Sequence, residues 1–141
     1  MIVLDTNILS EVMRAKPEKL VVDWLDSLPG DEFLLPSITV AEILYGIEAM
    51  PEGKRKVDYF SSVEKLFNIV FKNKVLAFDG HAAVEYAGIV ARRERKEQPV
   101  SMADAMIAAI CRSRNLVLAT RNIKDFTDTG IELINPWKIY N

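Results

Sequence analysis

Three acidic residues stand where short apolar or small-residue stretches meet helix-forming sequence. Asp5 closes the run Met1-Ile2-Val3-Leu4, Glu42 ends Thr39-Val40-Ala41-Glu42, and Asp104 ends Ser101-Met102-Ala103-Asp104. If a fold brings such carboxylates together, they form an all-oxygen site suited to a hard cation such as Mg²⁺, which takes one or two protein carboxylates and keeps several waters. A cation held in that way polarises a phosphate and generates a nucleophile from water. Crowded carboxylates repel one another, so a bound cation relieves the site.

Each acid also has a structural reading. Thr39-x-x-Glu42 matches a capping box, Ser101-x-x-Asp104 has the related form, and Asp5 suits the N-cap of a following helix. Spacing alone leaves both readings open. The rest of the inventory narrows the chemistry. The chain has one histidine, His81, and one cysteine, Cys111, which excludes a Cys/His zinc cluster and a paired-histidine acid–base mechanism. Cys111 falls in an apolar helical stretch and reads as core. Asp79 reads as a helix N-cap and His81 as a first-turn surface residue. Gly46 reads as a packing position within its helix, since no glycine-rich phosphate loop is present.

The elements that must position the acids follow from periodicity. Apolar runs at Met1–Leu4, Phe33–Leu35, Val75–Phe78, Leu116–Ala119 and Ile131–Ile134 read as short strands. Helices are expected from about Ile8 to Met13, from Pro17 to Leu28, after Thr39, from Lys54 to Val70 with Val57, Phe60, Val63, Leu66, Phe67 and Val70 on one face, after Asp79 with Ala83, Tyr86, Ala87 and Val90 inward, and from Ala103 to Arg114. Strands alternating with helices predict a parallel sheet covered on both faces. Ligands of such sheets collect beyond the carboxyl ends of the strands, where Asp5 is expected.

The 141 residues suit one domain spanning residues 1–141. Half are hydrophobic, yet no run approaches the roughly 20 apolar residues of a membrane span, and MIVLDTN lacks the marks of a signal peptide. With one cysteine there is no intrachain disulfide, and a cytoplasmic location is expected. A net charge of −2 does not favour nucleic-acid binding overall, although Lys54-Arg55-Lys56 and Arg92-Arg93-Glu94-Arg95-Lys96 form local basic clusters. Those clusters also suit solvated helix faces.

MIVLDTNILSE, SITVAEILYGI, ADAMIAAI, LATRNIKDF and the terminal NPW, taken in order, resemble the PIN-domain family. Within it the chain is similar to the VapC and FitB type of toxin from type II toxin–antitoxin systems. The resemblance spans Met1 to Trp137. It implies a three-layer α/β/α sandwich with a central parallel sheet of four to five strands. It also implies an endoribonuclease dependent on Mg²⁺ or Mn²⁺, with Asp5 and Asp104 ligating the metal directly. Glu42 would either assist as a ligand or act through water, orienting the nucleophile. The family's fourth position, usually Asp or Asn, maps to Asn122. An uncharged residue there favours one firmly held ion unless Asp125 reaches in. Thr6 and Thr120 would orient carboxylates.

The same resemblance implies a homodimer and a cognate antitoxin whose tail covers the acidic groove, with promoter DNA bound only through the antitoxin. Arg92, Arg93, Arg95, Lys96 and Arg121 are candidate phosphate contacts for an RNA substrate. An alternative of another class is a weakly catalytic or non-catalytic PIN module that works through an antitoxin-bound, DNA-binding complex.

Overall fold

The computed structural model describes residues 1–139. Five strands run parallel in the order β3-β2-β1-β4-β5: β1 (Ile2–Leu4), β2 (Phe33–Pro36), β3 (Val75–Leu76), β4 (Val117–Ala119) and β5 (Leu133–Ile134). The helices are α1 (Thr6–Val12), α2 (Lys19–Asp26), α3 (Ser37–Glu48), α4 (Lys54–Lys65), α5 (Gly80–Arg95) and α6 (Met102–Arg114). The sheet is buried on both faces, which is why its central strands read as continuous apolar runs rather than alternating ones. Val3 pairs with Leu118, and both join the core formed with α5 and α6. Leu4 pairs with Ala119, and both join the opposite core, formed with α1 to α4. This is the expected three-layer α/β/α arrangement.

The topology decides where a site can form. From β1 the chain winds through β2 to β3, then returns to place β4 on the other side of β1. The connections diverge between β1 and β4, and that switch point opens a crevice beyond their carboxyl ends. α3 starts directly from the end of β2, so its first turns lie at this edge. α6 leads into β4 and runs back along the sheet, so its first turn lies there too.

Several local expectations shift. α3 begins at Ser37, with Pro36 at its N-cap, so Thr39 is a buried helical residue and the Thr39–Glu42 capping box does not form. The predicted helix from Lys54 to Val70 changes its winding at Leu66 and continues as a π-helical turn, Leu66–Val70. Phe71 N–H reaches the carbonyl of Leu66, and the extra residue in that turn carries Phe71 into the core while Val70 faces out. Val57 is also exposed. Along α5 the buried positions are Ala82, Ile89 and Arg93, while Ala83 and Ala87 are exposed. The inward stripe is thus rotated by about one residue, because α5 packs along α6. Gly46 is not a packing position, since a Cβ there would meet nothing within 4 Å.

Arg93 is the largest departure from a surface reading. It is 5% exposed and donates only to main-chain carbonyls: Nε to Gln98 at 2.6 Å, and Nη1 to Thr127 at 2.6 Å and Asp125 at 3.2 Å. It therefore pins the segment after β4, which carries the 3-10 turn Ile123–Phe126, onto the end of α5. A phosphate contact by Arg93 is excluded by this burial. We expect Arg93→Ala to lower stability by about 2–4 kcal/mol, because three carbonyls lose a charged donor. Hydrogen exchange should rise selectively across residues 122–127, and uniform protection in that segment would contradict the pinning role.

Candidate functional site: an acidic groove at the strand ends

Asp5 follows β1 without a break. Its N–H donates to the Ala119 carbonyl at 3.0 Å, so the residue still belongs to the sheet while its side chain turns to the edge. It caps α1, as expected, with Oδ1 accepting from Thr6 N–H at 2.7 Å. The second oxygen is not used by the cap. Oδ2 accepts from Thr120 Oγ1 at 2.8 Å and from Asn7 Nδ2 at 3.2 Å. Thr120 follows β4 as Asp5 follows β1, so adjacent strand ends bring the two together across 115 residues of sequence.

Glu42 lies in the second turn of α3 and is exposed to the groove. Thr6 Oγ1 donates to its Oε1 at 2.7 Å. Thr6 thereby links two acids, its amide holding Asp5 and its hydroxyl holding Glu42. Beneath it, Thr39 Oγ1 donates to the Leu4 carbonyl at 3.4 Å. Asp104 lies in the first turn of α6 and is half-buried. The Ser101 half of the predicted cap is formed, since Ser101 Oγ accepts from Asp104 N–H at 3.1 Å. Asn122 lies at the same groove, its N–H donating to Thr120 Oγ1 at 3.0 Å.

One groove is thus lined by Asp5, Glu42, Asp104 and Asn122, the four positions proposed from sequence. Asp125 does not line it, but its charge bears on Asp104. Sequence reasoning passed over Glu11 and Trp137, which also line the groove, and gave Arg121 only a general phosphate-contact role. Glu11 is buried, accepts from Arg14 Nη1 at 3.0 Å and from Glu18 N–H at 3.2 Å, and shares one face of α1 with Asn7. The four-residue step from Asn7 to Glu11 was the available signal. Neither His81 nor Cys111 lines the groove. Asp79 caps α5 through Ala82 N–H, His81 is exposed beside it, and burial pushes the buried Cys111 thiol up to about 12.

Electrostatically, the site is under tension. Burial raises the Asp5 carboxyl to about 6, against the stabilising hydrogen bonds from Thr120 and Thr6, with the charges of Asp104 and Glu42 adding to the rise. Burial also raises Asp104, with Asp125 and Glu42 contributing. Among the described residues, no three His, Cys, Asp or Glu side chains close into a ready-made metal cage. The donors are spread around a groove, an arrangement that suits a hard cation completing its shell with water.

The chain is thus an α/β protein with an acidic groove at the switch point of its parallel sheet, the place where such sheets bind ligands. Comparison with known proteins takes the identification further: the PIN domain family profile matches residues 2–132, and the chain belongs to that family, in its VapC/FitB branch. The plasmid stability protein StbB of Pseudomonas syringae pv. tomato is 40% identical over 98% of this chain and 99% of its own length. The VapC ribonuclease Y4jK of Sinorhizobium fredii is 36% identical with the same coverage. A solved structure of FitAB bound to an IR36 DNA fragment superposes with a TM-score of 0.94 at 34% identity, covering 100% of this chain and 99% of the other.

The elevated carboxyl of Asp5 has a defined consequence for stability. An unfolded Asp ionises near 3.8, whereas the folded one ionises near 6. Between those values the folded chain holds a proton that the unfolded chain has released, so stability falls as pH rises through this window and stays lower above it, by about 3 kcal/mol. In the absence of divalent cations, Asp5→Asn should therefore raise Tm at neutral pH, and the margin should vanish toward about pH 4. Thermal unfolding across that range measures it, and a pH-independent difference would rule out titration of Asp5 as the cause.

Proposed function

We propose that this chain is a metal-dependent endoribonuclease and the toxin of a toxin–antitoxin pair, acting as one PIN domain across residues 1–141. The observation that carries this reading is the convergence of Asp5, Glu42 and Asp104, from three distant segments, on one groove at the strand ends. The likeness to a VapC ribonuclease supports the class of reaction. The donor set fits Mg²⁺ or Mn²⁺, since every available ligand is oxygen and the buried Asp5 carboxylate gains most from a neighbouring positive charge.

In this reading Asp5 and Asp104 hold the ion directly, and the uncharged Asn122 favours one ion over two. The ion, when bound, supplies Lewis acidity toward a phosphate oxygen and makes water a stronger nucleophile. Thr120, Asn7 and the Thr6 amide keep Asp5 in one orientation. Glu42, steadied by the Thr6 hydroxyl, orients the attacking water and takes up its proton. Attack by water on phosphorus with departure of the 3′-oxygen needs no 2′-hydroxyl and leaves 5′-phosphate and 3′-hydroxyl ends.

The likeness to FitAB bound to a DNA fragment and to a DNA-bound VapBC supports a cognate antitoxin as partner. A homodimer as the toxin assembly, and promoter DNA bound only through the antitoxin, complete the proposal on the family resemblance. Among the described residues, no helix is long and apolar enough to cross a membrane. We place the activity in the cytoplasm, where RNA substrates are found. A second reading, a PIN module acting mainly through an antitoxin–DNA complex, is favoured by Asn122 standing where a fourth acid could be.

Asp5→Asn and Asp104→Asn should each lower divalent-dependent RNA cleavage by at least about 100-fold and relieve growth inhibition, with the fold retained. Undiminished toxicity of the folded variants would sink the nuclease reading. Calorimetry with Mg²⁺ and Mn²⁺ separates the two readings, because a free chain that binds neither ion is the binding module.

A further inference from the structure

The groove is acidic, yet its proposed substrate is a polyanion, so the placement of positive charge along it matters. Two cations line it, Arg14 and Arg121. Arg14 is committed to the buried carboxylate of Glu11 at 3.0 Å. Arg121 has no carboxylate partner among the described residues and is exposed. Its guanidinium instead lies over the Trp137 ring, 5.0 Å from the centroid.

Both residues are rigidly based. Arg121 follows Thr120 at the end of β4, and its N–H donates to Asn7 Oδ1 at 3.2 Å, the same asparagine that donates to Asp5. Trp137 lies just beyond β5, the neighbour of β4, in a turn where its N–H donates to Asn135 Oδ1 at 2.9 Å. The indole packs partly against the apolar core and is otherwise open to the groove. The result is an aromatic face beside the acids, covered by a guanidinium that no carboxylate among the described residues holds in place.

We infer that Arg121 and Trp137 form a nucleotide subsite flanking the scissile position, with Trp137 stacking an unpaired base and Arg121 taking the adjoining phosphate. The inference rests on the ribonuclease reading above and deepens it to single-stranded substrate. A guanidinium leaves an aromatic face readily when a phosphate offers two parallel hydrogen bonds. The face it uncovers accepts any base, since every base has a π-surface. Single-stranded RNA is commonly held by such aromatic stacking. The subsite would thus position the strand without selecting its sequence, and it supplies the local positive charge that the net charge of −2 does not.

The test uses the full chain carrying Asp104→Asn, so that RNA is bound but not cut. The probe is a single-stranded oligoribonucleotide of mixed sequence containing 2-aminopurine. Binding should quench the 2-aminopurine fluorescence. Adding Trp137→Leu should weaken binding roughly tenfold and abolish the quenching, whereas Trp137→Phe should retain most of both. Adding Arg121→Gln should lower the slope of log affinity against log salt by about 0.7, the loss of one phosphate contact on a single strand. Arg121→Gln alters an exposed side chain, so it remains decisive if Trp137→Leu fails to fold. If the Asp104→Asn protein and the unsubstituted chain both bind no RNA, the ribonuclease reading falls and takes the subsite with it. If RNA binds and folded Trp137 and Arg121 variants match the parent in affinity, quenching and salt slope, the subsite alone is overturned.

Discussion

The structure turns on a carboxylate that is buried at the end of a central strand and has no cationic partner among the described residues. Asp5 is 4% exposed, and its nearest ionisable influences on the groove side are two further acids. Neutral donors alone stabilise its charge: the Thr6 amide, the Thr120 hydroxyl and the Asn7 amide. Burial outweighs them, and the carboxyl ionises near 6. A buried charge left in this condition costs stability, and a carboxylate so perturbed beside a groove is a functional-site candidate. The same residue caps α1, so its helix role and its site role coexist on different oxygens.

Around that centre, the fold uses its layers to hold each part of the groove independently. The sheet fixes Asp5 against Thr120 through the pairing of β1 with β4. α3 supplies Glu42 because it starts directly from β2, and Thr6 couples it to Asp5 through one short side chain. α6 supplies Asp104 because it runs back from the groove into β4. The segment after β4 would be a long unsupported loop, but the buried Arg93 fastens its carbonyls to α5. Arg93 is close enough to lower Asp104 as well, partly offsetting the repulsion from Asp125 and Glu42.

The main elements were legible because their signals are local. Two-sided burial makes a strand a continuous apolar run, and helix starts announce themselves by cap residues, so β1, β2, β4 and most helix positions follow from the sequence. What escaped has long-range causes. The inward stripe of α5 depends on how that helix meets α6, which places Arg93 rather than Ala87 in the interior. The π-helical turn before Phe71 depends on where the core demands a large side chain. The Thr39–Glu42 capping box is locally credible, but α3 can start three residues earlier, with Pro36 rather than Thr39 at its N-cap, because β2 delivers the chain already aligned.

By itself, the sequence determined the chemistry available: oxygen ligands in quantity, one histidine, one cysteine, and therefore carboxylate-based catalysis if any. Its ordered motifs determined the family. Tertiary structure decided which capping acids are also site acids, since only the strand order brings Asp5 and Thr120 side by side and points α3 and α6 at the same edge. It also decided that Arg121 and Trp137 meet over that groove. The physical reason is the same in each case: residue type sets what a side chain can do, but proximity between residues far apart in the chain is set by sheet pairing and layer packing, which no local pattern encodes.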